Sequence, residues 1–123
     1  LSNIRATTIS DETGNGPIAL TKQYTAKAWI NFSTIANPPS IASSANMSSL
    51  TDDGAEVAVN LTNAMSNSTY APICTAGHSG TNPSNRNMAA GIINASSFET
   101  EVYTTSNAHA DTNCYCAVFG DLA

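Results

Sequence analysis

The chain has 123 residues, is 41% hydrophobic and only 11% charged, and sets nine acidic residues against four basic ones for a formal net charge of -5. That length holds one domain, with at most an extended arm. The bases Arg5, Lys22, Lys27 and Arg86 are scattered, which excludes the clustered cations that neutralise nucleic-acid phosphates, and no apolar run approaches the roughly 18 residues of a membrane span.

Residues 1–25 carry Ser, Thr, Gly and Pro with weak periodicity, and the cluster from Asp11 to Pro17 reads as a turn. This stretch is expected to form an extended neck, with one short strand at Pro17 to Leu20. No signal-peptide pattern opens it, and Leu1 reads as the edge of a fragment or processed piece. The pattern changes at Ala26. Lys27, Trp29 and Asn31 alternate with Ala28, Ile30 and Phe32, the two faces of a strand. Asn37-Pro38-Pro39-Ser40 breaks it, and a second strand is expected from Ile41 to Leu50, ended by the hairpin signal Asp52-Asp53-Gly54. Val57, Val59 and Leu61 then share one face. Thr69 to Ala76 follows as a strand whose Pro72 favours an edge position.

Gly77 to Asn87 is the longest turn-rich segment. Beyond it, Met88 to Asn94, Phe98 to Thr104 and Cys114 to Gly120 complete about seven short strands. That spacing predicts an all-β fold, an antiparallel sandwich or meander, forming a knob over residues 26–123 behind the neck. The core formers are few: nine Ile, five Leu, four Val and three Phe make about 17% of the chain. So thin a core predicts that association between subunits completes the burial.

Cys74, Cys114 and Cys116 are an odd number and give no complete disulfide framework. They are expected to be small apolar core residues, kept reduced in a bacterial cytoplasm. Catalytic signatures are weak. His78 and His109 are the only histidines, and Ser79 and Asp111 make a triad compositionally available without pointing to one. Glu99 and Glu101 share a strand face, whereas glycan cleavage needs two carboxyls opposed across the substrate at a defined separation; on one open face they read as a solvated surface that discourages edge pairing. A lone His109 calls for no metal, and no cofactor is expected. The five N-x-S/T sequons, at Asn31, Asn46, Asn60, Asn67 and Asn94, follow from the abundance of Asn, Ser and Thr.

Two long strings carry a resemblance. Ile9 to Phe32 reads ISDETGNGPIALTKQYTAKAWINF, and Ser48 to Tyr70 reads SSLTDDGAEVAVNLTNAMSNSTY; the chain then ends near AVFG, Ala117 to Gly120. In order and spacing these are similar to the C-terminal domain of a large family of bacteriophage tail-fibre proteins, and together they span nearly the whole chain. The segment STIANPPSIASSANM departs from the family, which usually has a Gly-rich turn there and a strand carrying Arg.

The resemblance implies a non-enzymatic virion component, assembled in the bacterial host cytoplasm as a homotrimer and joined to other phage virion proteins. It implies attachment to a host cell-surface glycan or protein. Trp29, Ile30 and Phe32, beside the neck, are then expected at the subunit interface. Receptor contacts are expected from loops far from the neck: His78, Asn82, Asn85 and Arg86 in one, His109 and Asp111 in a second. A head fibre or capsid-decoration protein is the first rival reading, and a glycan depolymerase the second.

Overall fold

The computed structural model describes residues 25–77 and 86–123. Eight strands follow in chain order: β1 Ala28–Ser33, β2 Ser40–Ala45, β3 Met47–Asp52, β4 Glu56–Leu61, β5 Ala71–Ala76, β6 Arg86–Asn94, β7 Ser97–Thr104 and β8 Asn113–Phe119. They form two four-stranded sheets, ordered β2-β1-β8-β5 and β3-β4-β7-β6, with every pairing antiparallel. The protein is an all-β sandwich. The expected neck and its short strand lie outside the described residues.

Period-2 alternation builds both inner faces. From the first sheet Ala28, Ile30 and Phe32 of β1 and Cys114, Cys116 and Val118 of β8 point inward; Val57, Val59 and Leu61 of β4 and Phe98 and Val102 of β7 meet them from the second. Phe32, Phe98, Val59 and Val118 are fully buried at 0% exposure. Truncating either Phe to Ala would cost about 3–5 kcal/mol. Edge position suits β5, as Pro72 requires, because it pairs only with β8.

The expected single strand from Ile41 to Leu50 is two strands in different sheets. Asn46 stands between them with a positive φ of 56°, a conformation that Asn tolerates better than most residues. Its side-chain amide donates to the carbonyls of Lys27 (3.3 Å) and Asn63 (3.2 Å), and its Oδ1 accepts from the Asn63 N–H at 2.7 Å. These bonds hold the chain as it steps from the first sheet to the second. The hairpin at Asp52 forms as expected: Asp52 Oδ1 accepts from the Gly54 N–H at 2.9 Å, and Gly54 takes a φ of 91°.

At the end of the sandwich that carries the β6–β7 turn, Tyr70 closes the core. Its hydroxyl lies within hydrogen-bonding distance of the carbonyls of Asn94 (2.9 Å) and Ser97 (2.7 Å). Gly120 packs so tightly there that an added Cβ would stand 2.7 Å from Tyr70 Cβ, so only glycine fits.

Candidate functional site

Because every strand reverses direction, the connections divide between two ends of the sandwich. Residues 25–27, through which the chain enters β1, share one end with the β2–β3 junction at Asn46, the β4–β5 connection, the β6–β7 turn and the C-terminal residues; Met65 bridges to Leu122 there. The opposite, distal end collects the β1–β2 connection (34–39), the β3–β4 turn (53–55) and the β7–β8 connection (105–112). Gly77 and Arg86, which flank residues 78–85, stand at that end too. Their register partners fix this: Ala76 pairs with Cys114, and Arg86 with Thr104.

Thr112 ties the distal connections together. It is fully buried. Its N–H donates to Thr34 Oγ1 at 3.0 Å, its carbonyl accepts from the Thr34 N–H at 3.0 Å, and its hydroxyl donates to the Gly77 carbonyl at 2.9 Å. Nothing in the sequence singles Thr112 out, because its partners are remote in the chain.

Of the expected recognition residues, Arg86, His109 and Asp111 stand at the distal end, whereas His78, Asn82 and Asn85 lie outside the described residues. Arg86 is partly buried, and its Nε is buried with no hydrogen-bond partner. His109 reaches back onto the second sheet: Nδ1 lies 2.7 Å from Glu101 Oε1, and the imidazole packs against the Tyr103 ring at a centroid distance of 5.4 Å. It faces Glu101, not Asp111. Tyr103 also donates to Glu101, and that bond, ahead of partial burial and the charges of Glu101 and Glu56, pushes the phenol above its ordinary range.

A cavity of about 140 Å³ opens among these loops. Its floor is the buried Val57, Thr100 and Val102, and its rim carries Ile35, Asn37, Asp52 and Asp111. In the sequence Asp52 signals only a turn, because its place on the rim depends on which connections share an end.

Glu99 and Glu101 project together from the outer face of the second sheet, and a third acid joins them: Glu56 of β4 stands directly opposite Glu101. The shallow depression among them is lined by Ala89, Ala90 and Gly91 as well. All its walls belong to one sheet, so no carboxyl faces another across a substrate-sized gap, as glycoside cleavage requires. Among the described residues no group of three or more His, Cys, Asp or Glu is placed to hold a metal ion.

Of the three expected interface residues, Ile30 and Phe32 belong to the chain's own core, at 1% and 0% exposure. Their phase on β1 turns them inward, and a contact between folded subunits would fall to Trp29, which is 43% exposed on the outer face of the first sheet. It has company. Ala117 is paired with Trp29 on one side and Ile73 on the other, and Tyr115 lies two pairs further along on the same face, opposite Asn31 and Thr75. Ile73 and Tyr115 are 62% and 43% exposed. The result is an exposed aromatic and aliphatic patch on the outer face of the first sheet.

The cysteines depart from expectation. β5 and β8 place Cys74 directly opposite Cys116, with Cα atoms 4.2 Å apart, and the two form a disulfide. Cys114 remains a buried free thiol, which burial and, secondarily, the charge of Asp111 push up to about 12.

Family models, curated proteins and solved structures were all compared with the chain, and none of them matches it.

Proposed function

We propose that this chain is a host-attachment domain of a phage tail fibre, a virion structural protein that binds the cell surface through its distal loops and performs no chemistry of its own. One observation carries the reading. The one described connection in which recognition residues were expected, 105–112, lies at the end of the sandwich remote from residue 25, where the preceding chain enters, and Arg86 stands at that end too. A fibre domain presents its far end to the host, and loops held by a rigid scaffold are the usual carriers of recognition. The sequence resemblance supplies the biological setting.

The same reading takes the domain as one subunit of a homotrimer, joined to other virion proteins through the chain before residue 25. The exposed row of Trp29, Ala117 and Ile73 supports association, since contiguous apolar surface commonly marks a contact between proteins. Attachment to a phage head rather than a tail would use the same knob, and the resemblance favours the tail. The experiment is competition: the purified 123-residue chain should slow adsorption of the phage to its host in a dose-dependent way. Unchanged adsorption at saturating protein would refute the attachment role.

A further inference from the structure

We propose that the distal cleft seats one uncharged sugar ring, held by the carboxylates of Asp52 and Asp111 and the amide of Asn37 beside the exposed Ile35. The cleft measures about 140 Å³. That is far more than the roughly 10–15 Å³ that admits a water and less than the roughly 300–1,000 Å³ of a site for a drug-sized ligand. It therefore suits a single small unit.

The lining fixes the chemistry of that unit. Val57 and Val102 close the bottom of the cleft but are only 5% exposed each, so the apolar contact open to a ligand is Ile35 on the rim, 55% exposed. The polar groups above them are mostly acceptors. Asp52 is oriented by its bond from the Gly54 N–H, which leaves its second oxygen for a ligand. Among the described residues none donates to the Asp111 carboxylate or pairs with the Asn37 side chain. Carboxylates accept hydroxyl hydrogens in short, charge-assisted bonds, and neighbouring hydroxyls on one ring supply such donors in pairs.

Two acids at one mouth also repel anions. Uronic and sialic acids are therefore excluded from this cleft, although Arg86 stands elsewhere on the same end. The mouth is also held in shape. Thr112 and Thr34 bind the β1–β2 and β7–β8 connections to each other, and Asp52 sits at the end of a paired strand. A site assembled before its ligand arrives loses less on ordering it.

The inference rests on the attachment reading only for the source of the sugar, a host surface glycan. The test is amide chemical-shift mapping of the full chain. It is titrated with the methyl glycosides of glucose, galactose, mannose and N-acetylglucosamine, and separately with glucuronic acid, sialic acid and butylamine. At least one neutral glycoside should saturate shifts at Ile35, Asn37, Val57 and Asp111, and both acids should fail to do so. Asp111→Asn and Asp52→Asn should each weaken that binding about tenfold or more, with the remaining spectrum unchanged. Stronger binding of either acid or of butylamine, shifts confined to the Trp29 face, or no shift with any neutral glycoside would overturn the proposal. Adsorption competition by the same chain is scored in parallel. Effective competition alongside an empty cleft would sink the sugar site and leave the attachment role standing.

Discussion

Thr34 and Thr112, 78 residues apart in sequence, are tied to each other in both directions: each backbone N–H donates to the other residue, at 3.0 Å in both cases. The Thr34 hydroxyl is the acceptor in one of these bonds. Thr34→Ala removes that acceptor and leaves a buried N–H unpaired, which costs about 1–3 kcal/mol. Thr112→Val keeps the shape and strands the Gly77 carbonyl instead. Both variants should unfold at lower urea concentration than the parent with an unchanged m-value, and amides in the β1–β2 connection should exchange faster.

Pairing of Cys74 with Cys116 closes a loop of 42 residues, for which chain entropy gives a stabilisation of about 4 kcal/mol. Reductant should therefore lower the melting temperature, and Cys74→Ala with Cys116→Ala should reproduce the loss in its absence. Identical melting curves with and without reductant would contradict the pairing.

Cys114 supplies an independent readout. Its thiol is fully buried and its pKa stands well above the ordinary 9.0, so it should not react with a thiol reagent in the folded chain. Denaturant without reductant should reveal one reactive thiol, and denaturant after reduction three. The pH dependence follows in sign. The folded chain holds the proton to about pH 12, whereas an unfolded thiol releases it near pH 9, so the folded state binds more protons between these values. This contribution is complete below about pH 9 and is lost as pH rises towards about 12. Burial also raises the Tyr70 phenol, which acts in the same direction. Alkaline unfolding curves should show the decline, and Cys114→Ala should make it shallower.

The strands were legible wherever burial imposed strict alternation. Ile30 and Phe32, Val57 through Leu61, and Cys114 through Val118 announce inward faces without knowledge of their partners. The junction at Asn46 was not, because no Gly or Pro marks it. The signal is a left-handed backbone held by Lys27 and Asn63, and those partners are known only once the sheets exist. This one merged strand had a large consequence. With each strand reversing direction, one strand too few puts residues 34–39 at the opposite end from residues 105–112. The shared distal end, and with it the cleft between Asn37, Asp52 and Asp111, was therefore hidden from the sequence. The disulfide was hidden for a similar reason. Cys114 and Cys116 share a face by spacing alone, but which of them meets Cys74 depends on the register of β5 against β8.

Trp29 should report association. On this account the outer face of the first sheet is buried between subunits, so the chain should elute as a trimer and its Trp29 emission should shift to the red on dilution. Trp29→Ser combined with Ile73→Ser replaces exposed side chains only, and should give a folded monomer. A parent chain that remains monomeric and folded at micromolar concentration would contradict it.

The central claim is that the distal end meets the host. Adsorption rate constants should be compared for phage carrying Asn37→Ala, His109→Ala and Asp111→Ala together and for phage carrying Asn67→Ala with Ser68→Ala at the opposite end, all of them exposed positions. The account predicts adsorption reduced at least tenfold in the first and unchanged in the second, with both domains folded by circular dichroism. Parental adsorption by the distal variant, or equal loss in both, would contradict it.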